Sequence, residues 1–359
     1  MFIKKLSLKN YRNYENEELL FSSGINVLVG NNAQGKTNCA EAVFYLCTGY
    51  SPRATRDKQV IKFGENSAKI VGSCESKFGD VEVSIEFKPQ GKEILINGVP
   101  IKKIGELMGN VNSVLFNPGE LKLIQQAPED RRRFMDISLS QMDRKYFYTL
   151  QKYRKILDQR NNLLKNPDRE VVYETLPHWD KELANYAIEI IEKRKNFIDE
   201  IIPFATNFNQ IITGGDSLEI QLETPYYQGG GVEELISQYA LKTEKDLILG
   251  YTTVGPHRDD IKIKLNGEDV RVFASQGQQR TTAIALKLAE AEVFNKRFNE
   301  YPILILDDAL SELALNRRQK LISILQGFQT IITLTELPEE LKNAQGVNVI
   351  NIENGKVIN

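Results

Sequence analysis

The sequence predicts an α/β fold: a P-loop head built on a mixed β-sheet, interrupted by an inserted, mainly helical second lobe. Three observations carry this. The apolar run Gly24-Ile25-Asn26-Val27-Leu28-Val29 leads into Gly30-Asn31-Asn32-Ala33-Gln34-Gly35-Lys36-Thr37 and then into a helical pattern, the strand–loop–helix order of the G-x-x-x-x-G-K-[ST] motif. Apolar and polar residues alternate at strand spacing in both the first and last hundred residues. Between them, apolar residues recur at helical spacing.

Taken in order, Phe2 to Lys9 alternates as a strand, and the run ending at Val29 reads as a strand buried on both faces. Gly35 to Leu46 is a helix with Ala40, Val43, Phe44 and Leu46 inward. Lys69–Glu75, Val81–Phe87 and Glu93–Ile96 alternate between glycine-containing turns, predicting an antiparallel sheet beside the loop. Pro128-Glu129-Asp130 opens a helix running to about Lys165, Asn166-Pro167-Asp168 breaks it, and a second helix runs from about His178 to Ile212. Two such helices on a short link pack antiparallel as an arm. After Thr213-Gly214-Gly215 come a strand (Leu218–Leu222), a helical stretch and an alternating strand at Asp260–Leu265. A helix from Gly277 to about Arg297, a buried strand at Ile303–Leu306, a helix over Asn316–Gln326 and strands at Gln329–Leu334 and Val347–Ile352 complete the head. The expected division is a discontinuous head, 1–117 with 255–359, and a helical lobe, 118–254.

A chain of 359 residues is long for one core, which agrees with two lobes. Its 41% hydrophobic and 26% charged residues are those of an ordinary soluble protein. Phe328 to Thr335, the longest nearly uncharged apolar stretch, is too short to span a bilayer, and the N-terminus lacks the apolar run of a signal peptide. The cytoplasm is the expected compartment, with no membrane partner. Cys39, Cys47 and Cys74 form no C-x-x-C pair and read as small buried hydrophobes. Net charge is −2, but Arg131 to Arg169 holds eleven basic and four acidic residues. That local excess makes Arg154, Lys155 and Arg160 candidates for contacts to nucleic-acid phosphates.

The P-loop glycines let backbone N–H groups turn inward around a β-phosphate. Lys36 supplies a charge to the β/γ oxygens and Thr37 a hydroxyl to Mg²⁺, so ATP with Mg²⁺ is the expected ligand. Asp307 ends an aliphatic strand where it can reach the metal, and Asp308 follows where it can polarise an attacking water. Arg53, shortly after the P-loop helix, is a candidate phosphate or base contact, and His257 a candidate for the nucleotide or the lobe interface. Ser275-Gln276-Gly277-Gln278 places a hydroxyl and a glycine at a second helix N-terminus, a second anion site. Its simplest use is the γ-phosphate held by another copy, giving two ATP molecules sandwiched in a two-fold dimer. This narrows the head to the ABC-ATPase type, with slow hydrolysis serving as a switch. Two rivals share the P-loop: the nucleotide-binding subunit of a membrane transporter, in which a basic arm is not expected, and a small-molecule kinase, which has no use for the Ser275 segment.

The chain resembles the RecF family of bacterial recombinational-repair proteins, relatives of SMC and ABC ATPases, over essentially its whole length. The resemblance rests on Leu8-Lys9-Asn10-Tyr11-Arg12-Asn13-Tyr14, the P-loop, Asn117-Pro118, Ala127 to Asp136, Thr253 to Asp260, Ser275 to Thr281, and Leu306-Asp307-Asp308 with Ser311-Glu312-Leu313. It implies an ATP-dependent protein that binds double-stranded and gapped DNA and helps RecO and RecR load RecA in replication, repair and the SOS response. One position departs: Ala314 stands where the family's Ser-Glu-Leu-Asp string has aspartate. That aspartate normally faces the partner's nucleotide, so the departure implies intact ATP binding and an altered contact across the dimer.

Overall fold

In the computed structural model, residues 1–358 are described apart from 312, 343 and 345. The first strands, β1 (Phe2–Lys9) and β2 (Asn16–Leu20), form a hairpin, and β3 (Ile25–Val29) runs into the P-loop and α1 (Lys36–Thr48). Next come β4 (Ala68–Ser76), β5 (Gly79–Lys88), β6 (Gly91–Ile96) and the short β7 (Val99–Pro100). With the first hairpin they make an antiparallel sheet in the order β2-β1-β4-β5-β6-β7, as the alternation predicts. β8 (Ser113–Phe116), not foreseen from the sequence, follows.

The helical stretch contains the short α2 (Lys122–Gln125), α3 (Pro128–Met142), α4 (Arg144–Leu164) and α5 (Arg169–Thr213). The expected single helix to Lys165 is two helices. Asp143 leaves the helical region at φ −146° and its carboxylate accepts the Lys145 N–H at 2.8 Å, ending one helix and capping the next. α5 begins at Arg169, earlier than expected, capped by Asp168, and continues through Pro177 and Pro203 for 45 residues, roughly 68 Å at 1.5 Å per residue.

The chain returns through β9 (Leu218–Glu223), α6 (Gly231–Leu249), β10 (Asp260–Leu265), β11 (Glu268–Asp269), α7 (Val270–Phe273) and α8 (Gln276–Phe298). The last elements are β12 (Ile303–Asp307), α9 (Leu315–Leu325), β13 (Thr330–Leu334), α10 (Glu339–Lys342), β14 (Asn348–Glu353) and β15 (Lys356–Ile358). The central sheet, β15-β14-β3-β13-β12-β8, is parallel except for its edge strand β15.

Strand periodicity splits the core. Leu28, Ile303, Ile305 and Ile331 face α1 and the antiparallel sheet. Val27, Leu304, Leu306 and Ile332 face the opposite way, into one continuous apolar cluster with residues of α3, α4, α5 and α8. Parallel strands covered on both faces need such uninterrupted aliphatic runs. Cys39, Cys47 and Cys74 are free and buried, as expected. Among the described residues, no helix is long and apolar enough to cross a membrane. Because β3 and β12 both flank β13, the P-loop and the Asp307-Asp308 pair leave the same carboxyl edge of the sheet, where open α/β sheets bind ligands.

Candidate nucleotide site

The P-loop is shaped by close approaches. A Cβ on Gly30 would lie 2.1 Å from the Ile352 carbonyl oxygen, and one on Gly35, at φ 120°, would meet the Asn13 amide at 2.8 Å. Ala33 adopts φ 65°, an uncommon left-handed geometry for a side-chain-bearing residue. The loop is held from outside. Asn13 Nδ2 donates to the Gln34 carbonyl at 2.9 Å and Tyr14 Oη to the Gly35 carbonyl at 3.0 Å. The β14–β15 turn adds Gly355 N to the Gln34 carbonyl at 2.8 Å and Asn354 N to Gln34 Oε1 at 2.6 Å. Backbone groups of the loop are therefore fixed by partners on its outer side.

Lys36 Nζ reaches back across the loop to the carbonyls of Gly30 (2.5 Å) and Asn31 (2.7 Å). Burial lowers its pKa, while Asp307 and Asp308 oppose that shift. Thr37 Oγ1 donates to Asp307 Oδ1 at 2.9 Å, and Thr333 Oγ1 donates to the same oxygen at 2.7 Å. Burial raises the Asp307 pKa; the two hydroxyls and the charge of Arg53 work against it. Asp308 sits at φ 55°, its N–H on Thr333 Oγ1 at 3.0 Å, and its exposed side chain lines the cleft. That cleft, about 410 Å³, is bounded by Asn32 to Asn38, Arg53, Asp308 and Thr333 to Thr335. The sequence-predicted P-loop and acidic pair are thus brought together, and Arg53 joins them. Thr333, Asn13, Tyr14 and the Asn354-Gly355 turn were not identified from sequence as parts of this site.

Ser275, Gly277 and Gln278 do not line this cleft. Ser275 is the N-cap of α8, its exposed hydroxyl accepting from Gln278 N at 3.3 Å while Gln278 Oε1 accepts from Ser275 N at 3.0 Å, a capping box. Glu312 of the Ser-Glu-Leu string lies outside the described residues. His257 is not at the cleft: Nε2 donates to the Thr252 carbonyl at 3.0 Å and Nδ1 accepts from Tyr153 Oη at 2.6 Å.

The basic segment divides. Arg154 is exposed, with a 3.0 Å ion pair to Asp136, and Lys155 is exposed. Arg160 is not a surface residue and the expectation that it meets DNA is corrected. It is 0% exposed, with Nε on Asp180 at 2.6 Å and Nη1 on Asp246 at 2.7 Å. It lies on the inward stripe of α4 with Tyr146, Tyr153 and Leu164, so its charge is spent internally.

Residues 2–358 match the family model described as RecF/RecN/SMC N terminal domain. The DNA replication and repair protein RecF of Ruminiclostridium cellulolyticum is 42% identical over 346 residues, 93% of each chain. That of Clostridium acetobutylicum is 39% identical over 363 residues, 99% of each. A solved structure of the recombination mediator protein RecF with ATP, in the RecFOR pathway, is 33% identical with a TM-score of 0.88, covering 99% of this chain and 97% of that one. The crystal structure of an Smc head bound to the C-winged helix domain of ScpA has a TM-score of 0.61 at 18% identity, covering 100% and 97%. That last likeness is one of fold.

Proposed function

The chain belongs to the RecF family, and from that premise we propose that it is an ATP-switched DNA-binding protein of replication and repair. The observation that carries this reading is the Thr37–Asp307 hydrogen bond at the foot of the P-loop. It sets a hydroxyl and a carboxylate oxygen side by side where phosphate-bridging metal is held in P-loop enzymes. These hard oxygen donors, next to a cradle that a Cβ at Gly30 or Gly35 would fill, fit Mg²⁺. Bound there, the ion would neutralise charge on the β- and γ-phosphate oxygens.

The chain's own residues do the rest. P-loop N–H groups and Lys36 hold the phosphates, Arg53 adds a guanidinium from the cleft lining, and Asp308 accepts a proton from water in slow hydrolysis. The α8 N-terminus at Ser275, Gly277 and Gln278 contacts the γ-phosphate bound by a second copy. Closure of this homodimer is then linked to ATP by mass action. A head of residues 1–117 and 255–359 carries the nucleotide, and the 118–254 lobe offers Arg154 and Lys155 to duplex or gapped DNA. By the family resemblance, RecO and RecR are the protein partners and RecA loading the outcome. A gel-shift series with gapped, duplex and single-stranded DNA, with and without Mg·ATP, tests this. Tighter binding of gapped or duplex DNA with ATP is expected; equal retention with and without nucleotide would refute the switch.

A further inference from the structure

The Leu8-to-Tyr14 string contains an arginine that the nucleotide reading leaves without a task. Arg12 sits just beyond β1 at φ 56°, a left-handed geometry uncommon for a side-chain-bearing residue. Its Nε and Nη2 grip both carboxylate oxygens of Glu41, at 3.0 and 2.7 Å, and Nη1 donates to the Gln59 carbonyl at 3.0 Å. Glu41 projects from α1, one turn beyond the P-loop, and its side chain is 1% exposed. The same carboxylate accepts a short hydrogen bond from Ser51 Oγ. Ser51 Oγ in turn accepts the backbone N–H groups of Arg53 at 2.9 Å and Ala54 at 2.6 Å. One hydroxyl proton and two lone pairs are thereby all used.

The loop so fastened carries Arg53. Arg53 lines the nucleotide cleft together with Lys36 and Asp308, its Nη1 donates to Asn38 Oδ1 at 3.3 Å, and among the described residues it has no carboxylate in ion-pairing range. Stability alone is a weak reason for this part-buried Arg–Glu pair, since apolar residues of similar volume often do as well. What an apolar pair cannot do is present a fixed carboxylate oxygen to Ser51.

We propose that Arg12 is a positioning residue, which acts through Glu41 and Ser51 to hold the 51–54 loop so that Arg53 meets the phosphates of ATP. The proposal rests on the nucleotide reading above. It separates Arg12 from a mere structural bolt by a specific signature: Arg12 matters to ATP only while Arg53 is present.

The test is a double-mutant cycle on the full chain, read as Mg·ATP affinity. Arg53→Ala should weaken binding about tenfold, the scale of one charge-assisted contact. Arg12→Met should reproduce most of that loss, and the double variant should bind no more weakly than Arg53→Ala alone. Arg12→Met leaves Glu41 buried without its cation and can fail to fold, so Ser51→Ala, which keeps the ion pair, forms a second cycle. Its own loss of about threefold or more should vanish when Arg53 is already alanine. Losses that multiply in both cycles, or wild-type affinity in Arg12→Met and Ser51→Ala, overturn the proposal. Lys36→Met in parallel keeps the two readings apart. If Lys36→Met loses ATP while the Arg12 and Ser51 variants do not, the relay alone is wrong. If Lys36→Met binds as well as wild type, the nucleotide reading itself fails, and the relay with it.

Discussion

Thr37 Oγ1 and Asp307 Oδ1, 270 positions apart, lie 2.9 Å from one another. The contact exists because β3 and β12 flank β13, whose Thr333 pairs in register with both Leu28 and Asp307. Asp307 is 6% exposed, and a carboxylate so enclosed stays charged only with donors around it.

Thr37→Val keeps the shape and removes the hydroxyl. ATP affinity without metal should change little, while the gain produced by Mg²⁺ should fall by about tenfold, the scale of one contact to an ion. ATP titrations with Mg²⁺ and with chelator measure this; an undiminished Mg²⁺ effect would remove Thr37 from the metal site.

Asp308→Asn should stop hydrolysis and accumulate the ATP-closed dimer. Asparagine tolerates the left-handed backbone as well as aspartate does, so φ 55° at this position adds no strain to the variant. Sedimentation with Mg·ATP should show more dimer than wild type. A variant that binds ATP and stays monomeric contradicts the role given to Asp308.

Ser275→Arg should bind ATP as a monomer and fail to dimerise, because a bulky cation would occupy the docking point proposed for the second copy. Losing the cap to Gln278 N also costs about 1 kcal/mol, so Ser275→Asp serves as control. Aspartate keeps the cap and repels phosphate. Both variants should lose ATP-dependent association while melting near wild type in the capped one; normal dimerisation of Ser275→Asp would end the two-headed sandwich.

His257 gives stability a pH dependence with a defined sign. Burial drives its pKa from 6.5 down to about 4, and both ring nitrogens are committed to Thr252 and Tyr153. The unfolded chain takes up a proton near 6.5 that the folded chain refuses until about 4. The contribution is therefore complete above pH 6.5 and is lost as pH falls toward 4, at about 1.4 kcal/mol per unit. His257→Gln should be less stable at pH 7 and show a shallower fall between these limits in denaturant melts. Equal slopes would place the titration elsewhere.

The P-loop, the acidic pair and most elements were legible because each is written in a local run. Arg160 was also legible: it falls seven positions after Tyr153 and four before Leu164, on the stripe that builds α4, and its charge hid that placement. β8 was not, since Ser113–Phe116 shows too short a run for a period and becomes a strand only beside β12. The break at Asp143 was written in an N-cap residue inside an apolar period, where the period prevailed. The grip of Asn354 on Gln34 joins positions 320 apart, and no local pattern announces it. The Arg12–Glu41–Ser51 chain is of the same kind, three polar residues whose meeting depends on the fold.

On DNA, each Lys or Arg that neutralises a phosphate contributes about 0.9 to the slope of log affinity against log salt. Arg154→Gln with Lys155→Gln should therefore flatten that slope by up to about 2 units. The loss should be similar for unrelated duplexes, because phosphate contacts carry no sequence information. Freeing Arg154 does not strand Asp136, which keeps Arg194 Nη2 at 2.8 Å and Tyr146 Oη at 2.7 Å, so the fold should hold. Arg160→Gln makes the opposite control. Asp180 and Asp246 would lose the cation that both of them contact, at a cost of about 3–5 kcal/mol in stability, while the salt slope of the folded fraction stays put. If the double variant leaves the slope unchanged, α4 is a solvated face, and the DNA surface belongs elsewhere, around the exposed Arg56 and Lys58.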